Sequence, residues 1–278
     1  MTSTSVSKTN GLGGTIAAAD QCTDQNTAAG KPSWASDLRV IWHLLAHPVR
    51  GKTHAERLES FYSGQAGDYD SFRARLLHGR DELIDSLDFP TAGVWADLGA
   101  GTGKNILRAG GRCSALRQIQ LVDLSPSLLD VARERLGAAG VTNAQYWLAD
   151  VTRWEQAEES VDLVTFSYSL TMIPDWFKAI ELAHRILKPG GVIGVVDFYV
   201  SRKYAAQGQR QHGWLRRSFW THWFGADNVF LSPDHTAMLH QKFDATRFSE
   251  RLGRVPYLPL VRAPYYLFVG TKRATDVG

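Results

Sequence analysis

A short apolar run, Val94–Leu98, passes without a break into Gly99, Gly101 and Gly103, three glycines at alternating positions within Asp97-Leu98-Gly99-Ala100-Gly101-Thr102-Gly103. Glycine admits positive φ and lets a ligand lie against the backbone, and the helix behind such a turn offers N–H groups to an anion. A dinucleotide fingerprint needs its third glycine at position 104, where this chain has Lys104. The alternation therefore points away from a pyrophosphate and toward a ligand whose anion is a carboxylate. Asp123 ends the next apolar run, 20 positions beyond Gly103, where a carboxylate can accept from both hydroxyls of a ribose. Asp150 closes Leu148-Ala149-Asp150, in place to accept from an adenine amino group. Asp also caps turns at such positions, but three features at three consecutive strand ends are hard to assign to turn chemistry alone. Leu124 and Val151, next to the two carboxylates, complete this part of the candidate set.

These residues need a frame. Val94–Leu98, Ile119–Asp123, Gln145–Ala149, Leu163–Ser167 and Val192–Phe198 have strand composition, while Ser127–Leu136 and Trp176–Leu187 have helical periodicity. Ser125 caps the first of these helices and Pro126 occupies its first turn. Alternation of this kind predicts a parallel sheet with helices on both faces. Two further strands, around Ala245–Leu252 and Pro264–Gly270, are joined through the Pro256/Pro259 connection and predict an antiparallel addition. The expected architecture is a seven-stranded Rossmann-like α/β sheet, mostly parallel, with a helical insert over residues 201–243 before the last two strands. Residues 1–33 hold almost no large apolar group and are expected to form a disordered tail. A helical cap is expected over 34–90, with helices at Trp34–Leu45, His54–Ser63 and about Tyr69–Leu87.

The 278 residues are 44% hydrophobic and 21% charged, enough for a substantial core. The net charge of +3 comes without a Lys/Arg cluster dense enough to follow a phosphate backbone, so no nucleic-acid partner is expected. Cys22 and Cys113 form no framework and fit a reducing cytosol. The nine histidines lack ligand spacing, and no metal is expected. Residues 1–20 do not read as a signal peptide, and no run reaches the roughly 18 apolar residues of a membrane span. The expected location is the cytoplasm, with contact at the membrane surface.

From Tyr69 to Phe198 the sequence resembles the class I S-adenosylmethionine-dependent methyltransferases. The resemblance is carried by Asp97–Gly103, Asp123, Asp150, Ser167-Tyr168-Ser169-Leu170 and Leu187-Lys188-Pro189-Gly190-Gly191. It implies S-adenosylmethionine as cofactor, with Ser167 in the binding set and Tyr69, of the Tyr69-Asp70 pair, as a lid residue. The Leu187–Gly191 segment has a sufficient structural explanation as a helix end and turn. Three flanking segments look like the betaine-lipid N-methyltransferases: Pro48–Tyr62 with Asp37–Val40, Phe219–His235, and Val255–Pro259 with Ala263–Tyr266. That resemblance implies three methylations of diacylglyceryl-homoserine to diacylglyceryl-trimethylhomoserine. It also implies a lipid head-group substrate and, as a candidate partner, the aminocarboxypropyl transferase that makes the homoserine lipid. The alternatives are a methyltransferase of the same fold acting on a soluble amine or quinone-like molecule, and a cofactor-binding scaffold without turnover.

Methyl transfer to an amine is an in-line displacement that needs alignment, exclusion of water and an unprotonated nucleophile. Tyr168, ending the fourth strand, is the candidate for orienting the amine, against a role in core packing. Asp197 and Tyr199 end the fifth strand, and His235 follows Ser232-Pro233-Asp234, which also reads as a helix cap. Trp220, Trp223, Phe224 and Tyr199 are candidates for holding a quaternary ammonium, although Trp and Phe at helical spacing also build cores. Ser201–Ala226 contains Arg202, Lys203, Arg210, Arg216 and Arg217 among aromatics and no acidic residue, which suits an anionic lipid surface.

Overall fold

A computed structural model describes residues 75–206, 208–225, 229–256 and 258–274. The expected tail, the helices at Trp34–Leu45 and His54–Ser63, and the lid residue Tyr69 lie outside the described residues. Seven strands form one sheet: β1 (Val94–Leu98), β2 (Gln118–Asp123), β3 (Ala144–Leu148), β4 (Val161–Ser167), β5 (Leu187–Phe198), β6 (Phe243–Val255) and β7 (Leu258–Lys272). Their order is β3-β2-β1-β4-β5-β7-β6. The first five run parallel, while β7 lies antiparallel to both β5 and β6. Strand order reverses between β1 and β4, and in open α/β sheets ligands bind beyond the strand ends at such a switch point.

Among the described residues six α-helices accompany the sheet: α1 (Arg80–Asp85), α2 (Lys104–Ala109), α3 (Pro126–Ala138), α4 (Trp176–Ile186), α5 (Trp214–Gly225) and α6 (His235–Lys242). Two apolar layers result. Leu83 and Ile84 of α1, Ile106 of α2, Leu129 and Leu136 of α3, and Trp220 and Phe224 of α5 pack on one layer. Ile180, Ala183 and Ile186 of α4 and Leu239 of α6 pack on the other. β1 is buried along its whole length, as a central parallel strand covered on both faces must be. β3, at the edge, is partly open, with Trp147 and Leu148 exposed.

Ser125 caps α3 as expected, its Oγ accepting from the Leu128 N–H at 3.3 Å with Pro126 at the first position. Three elements depart from expectation. The helix expected to run through Leu87 is interrupted: Gly79 takes φ 78° and α1 starts only at Arg80. A Cβ at Gly79 would lie 2.8 Å from the Tyr265 ring, so this left-handed turn excludes other residues twice over. The Leu187–Gly191 segment belongs to β5 rather than preceding it. It bulges between the Val161↔Leu187 and Leu163↔Val192 pairings, with Gly190 at φ 76°. Finally, the closing hairpin is longer than its apolar alternation suggested, and Pro259 falls inside β7. Glu82 of α1 pairs with Arg247 and Arg251 of β6, fixing α1 across the hairpin.

Replacing Ser125 with Ala removes one cap acceptor from the helix that follows the Asp123 strand end. The expected result is a loss of about 1 kcal/mol in urea unfolding, with the midpoint lowered and the slope unchanged.

Candidate active site

The turn between β1 and α2 is built from left-handed glycines: Gly99, Gly101 and Gly103 have φ of 74°, 54° and 72°. Each serves a different surface. A Cβ at Gly99 would come within 2.4 Å of the Ser169 Cβ, so the turn after β4 presses directly on it. At Gly103 it would meet Ala132 and Leu136 of α3 at 3.3 Å. At Gly101 it would meet nothing within 4 Å, because Gly101 faces an open cavity. The Ser169 hydroxyl donates to the Leu98 carbonyl at 2.8 Å, closing the β1 and β4 ends together.

Beneath this turn lies Asp97. Its carboxylate is buried and accepts from Thr165 Oγ1 at 2.6 Å and from Asn105 Nδ2 at 3.0 and 3.1 Å. The Trp95 indole N–H in turn donates to Thr165 Oγ1 at 2.8 Å. Burial pushes Asp97 up to about 6, against the pull of Thr165, Asn105 and Arg80. Asp97 is placed under the cavity rather than in its wall, so it positions the glycine turn. Asn105 and Thr165 were not foreseen from sequence; Asn105 carries the one available sign, a polar residue on the inward side of the helix that follows the glycines.

The cavity encloses about 240 Å³ at the switch point, walled by Gly99–Thr102, Asp123, Leu124, Asp150, Val151, Ser167 and Tyr168, with Met172–Asp175 and Arg80. Most of the residues expected to hold the cofactor thus meet around one space. Asp123 Oδ2 accepts from the Gly101 N–H at 2.7 Å and Oδ1 from the Ser125 N–H at 3.0 Å. These bonds orient a carboxylate with about four acceptor sites toward the cavity, as ribose hydroxyls require. Asp150 does two things. Its Oδ1 accepts from Thr152 N and Oγ1, both at 2.8 Å, which is the turn-capping role, while the residue also lines the cavity. Ser167 Oγ is buried in the wall with no hydrogen-bond partner, a polar atom that a bound polar ligand would satisfy. An orphaned hydroxyl, a glycine facing open space and two strand-end carboxylates together fit an adenosyl amino-acid ligand. Among the described residues no cluster of His, Cys, Asp and Glu is placed to hold a metal ion.

The candidates for catalysis divide. Tyr168 lines the cavity with its ring, in a left-handed conformation at φ 57°, and its hydroxyl donates to the His78 carbonyl at 2.7 Å. Burial raises its pKa well above the ordinary tyrosine value, so it acts as a neutral wall rather than as a base. Asp197 is fully buried: Oδ1 accepts from Thr171 Oγ1 at 2.7 Å and the Phe198 N–H at 2.7 Å, and Oδ2 accepts from the Thr171 N–H at 3.2 Å. It clamps the turn after β4 and does not line the cavity. Tyr199 and His235 lie in the layer on the other face of β5 from Phe198 and Tyr168. His235 is buried against Trp176 and Tyr266, and burial holds it down to about 3. Neither residue reaches the cavity. Nor do the four aromatics proposed for an ammonium cage converge, since Trp220 and Phe224 are packed in the layer opposite Tyr199. Arg80, not expected from sequence, is a cation on the wall beside Lys104: its guanidinium stands 5.4 Å from the Tyr168 ring centroid and donates to the Ser167 carbonyl at 3.4 Å. Only the Gly79 turn that precedes it could have marked it.

Residues 96–191 match the methyltransferase-domain family. A ubiquinone/menaquinone biosynthesis C-methyltransferase, UbiE, of Klebsiella pneumoniae is 31% identical over 168 residues, covering 58% of this chain and 67% of that protein. The chain belongs to the class I S-adenosylmethionine-dependent methyltransferases. A demethylmenaquinone methyltransferase of Protochlamydia amoebophila is 31% identical over 154 residues, 52% of this chain and 64% of that protein. The chain thus spans less than two thirds of that relative's length. Among solved structures, the fold is shared with the YcgJ protein of Bacillus subtilis at a TM-score of 0.57 and 17% identity, covering 70% of this chain and 98% of that one. It is shared also with a Haemonchus contortus phosphoethanolamine N-methyltransferase, solved with phosphomonomethylethanolamine and S-adenosylhomocysteine. There the TM-score is 0.58 and the identity 15%, covering 78% of this chain and 60% of that one.

Two outcomes follow for the methyltransferase. Asp123→Ala should lower affinity for S-adenosylmethionine at least tenfold, about 1.4 kcal/mol, by calorimetry on a variant with an unchanged circular dichroism spectrum; unchanged affinity would place the ribose elsewhere. The second concerns pH. Asp97 and Asp197 both sit near 6 in the folded chain, so between about pH 4 and 6 the folded state holds protons that the unfolded state releases, and stability falls as pH rises. His235 and His212, held down to about 3 and about 4 by burial, act oppositely and make stability rise toward pH 6.5. Asp97→Asn removes one falling contribution. Its unfolding free energy should therefore rise more steeply than that of the parent across pH 4–6, by up to about 1.4 kcal/mol per pH unit. Parallel curves would show Asp97 ionised throughout.

Proposed function

We propose that this methyltransferase N-methylates the amine of an amino-acid lipid head group, taking diacylglyceryl-homoserine through three rounds to diacylglyceryl-trimethylhomoserine. The observation that carries the reading is the charge arrangement of the cavity wall, where the Arg80 guanidinium and the Asp175 carboxylate both line one space. A homoserine head group is itself a zwitterion, with a carboxylate for Arg80 and an amine for Asp175. The flanking segments that resemble betaine-lipid N-methyltransferases support the same acceptor.

Bound S-adenosylmethionine supplies an electrophilic methyl group on a sulfonium. The chain's own residues fix the geometry and keep water out. The glycine turn and Asp123 set the donor end, while Tyr168 and Met172–Pro174 form an apolar wall at the other. Asp175, half-exposed and paired with Lys178 at 2.8 Å, is the lining carboxylate that can take the amine proton and pass it to solvent. The carboxylates on the wall also favour the cationic ammonium product.

The names of the relatives favour a second reading, methylation at a ring carbon of a quinone-like molecule, and they fit it better than head-group N-methylation. The two are separated by incubating the full chain with methyl-labelled cofactor and, in parallel, diacylglyceryl-homoserine vesicles, demethylmenaquinol vesicles and free homoserine. Lipid mass spectrometry should find up to three added methyl groups on the homoserine lipid. Label confined to the quinol would replace the first reading by the second, label confined to free homoserine would remove the lipid, and label in none would sink all three.

A further inference from the structure

We infer that α5 and the chain beside it dock the protein onto an anionic lipid surface. Nine large apolar side chains are exposed among the described residues, and five of them, Tyr204, Trp214, Leu215, Phe219 and Phe230, fall between residues 204 and 230. Trp214 is 73% exposed and Leu215 74%, values far outside what a helix packed on all sides would leave. Helix α5 keeps Trp220 and Phe224 against the core and turns Leu215 outward, with Phe219 and Trp223 forming a shallow apolar groove.

Charge decides what such a face meets. From Ser201 to Gly225 the chain has Arg202, Lys203, Arg210, Arg216 and Arg217 and no Asp or Glu. Asp234 takes up Arg202 at 2.6 Å and Glu250 accepts from the Arg210 backbone N–H at 2.5 Å; burial, and after it the charges of Arg216, Arg210 and Arg217, hold His212 down to about 4. Apolar side chains that enter the headgroup layer, flanked by arginines that meet anionic headgroups, are the composition of an interfacial helix. An anionic membrane satisfies both features at once. No helix among the described residues is long and apolar enough to cross a membrane.

The face is tied to the cavity. Beyond α5, the Phe230 N–H donates to the Thr171 carbonyl at 2.8 Å, and Thr171 is the residue clamped by Asp197 in the turn that leads to Met172 and Ile173 of the cavity wall. Docking would therefore hold the acceptor end of the cavity near the lipid. The inference extends the lipid-acceptor reading, but its test uses vesicles without any methyl acceptor, so either can fail alone.

The test is co-sedimentation of the full chain with phosphatidylglycerol vesicles and with phosphatidylcholine vesicles. Binding should be at least tenfold tighter to the anionic vesicles and should weaken strongly at about 0.5 M salt, where screening is short-ranged. Replacing Arg216 and Arg217 together with Ser should weaken it roughly tenfold or more. The pair Trp214→Ser and Leu215→Ser should weaken binding to both vesicle types. All variants should keep the parent's thermal midpoint and cofactor affinity. Equal binding to the two vesicle types, or charge variants that bind like the parent, would overturn the inference. So would a salt-insensitive self-association abolished by Leu215→Ser, which would assign the face to a second copy of the chain.

Discussion

A carboxylate sealed from solvent organises the donor end of this molecule. Burying Asp97 without partners would cost several kcal/mol, and the chain meets that demand with donors from three places: Thr165 on β4, Asn105 in the first turn of α2, and, through Thr165, Trp95 on β1 itself. Because each donor belongs to a different element, satisfying one side chain fixes the relative placement of all three. The glycine turn spans the interval between two of them. Its conformation is thus held from below by hydrogen bonds and from the side by Ser169, whose Cβ occupies the space that any larger residue at Gly99 would need.

The same device recurs two strands away. Asp197 is equally buried, and its donors, Thr171 and the Phe198 N–H, lie in the turn after β4 and at the end of β5. One carboxylate braces the donor end of the cavity and the other the acceptor end. Neither touches the cavity, and both are raised toward 6 by the same loss of solvent. Strand-end carboxylates in this fold therefore divide into those that brace and those that face the ligand. Asp123 is open to the cavity on one side, and Asp150 stands at the end of the half-exposed edge strand β3.

That division explains what could be read from the sequence. The sheet, the capped α3 and the ring formed by Gly101, Asp123 and Asp150 were legible because each follows from local pattern: alternation of elements, Ser-Pro at a helix start, and acids at consecutive strand ends. Which Asp faces the ligand was not legible, because it depends on which strand is central, a property of sheet order. Tyr199 and Asp197 were misplaced for a related reason. Strand residues alternate between faces, and the sequence of β5 is apolar on both, so nothing local says that Phe198 rather than Tyr199 lies on the side of Tyr168. Arg80 was missed because it arrives from a segment far from the glycine turn in sequence, delivered by a left-handed glycine with no periodic signature.

The acceptor side is assembled from distant pieces, and that has a mechanical consequence. The turn at Thr171 receives hydrogen bonds in series: it donates to Asp197 from one side and accepts from Phe230 on the other. Phe230 belongs to the insert that exposes the aromatic and basic face, whereas Asp197 belongs to the central sheet. A load applied to α5 by a surface would therefore pass through Phe230 to the cavity wall and on to Asp197 of the central sheet, rather than to the Asp97 network beneath the glycine turn. The donor end is braced independently by Asp97, so cofactor binding need not respond when the insert is displaced. Separate supports for the two ends let the acceptor side shift while the glycine turn, held by Asp97 and Ser169, keeps its geometry.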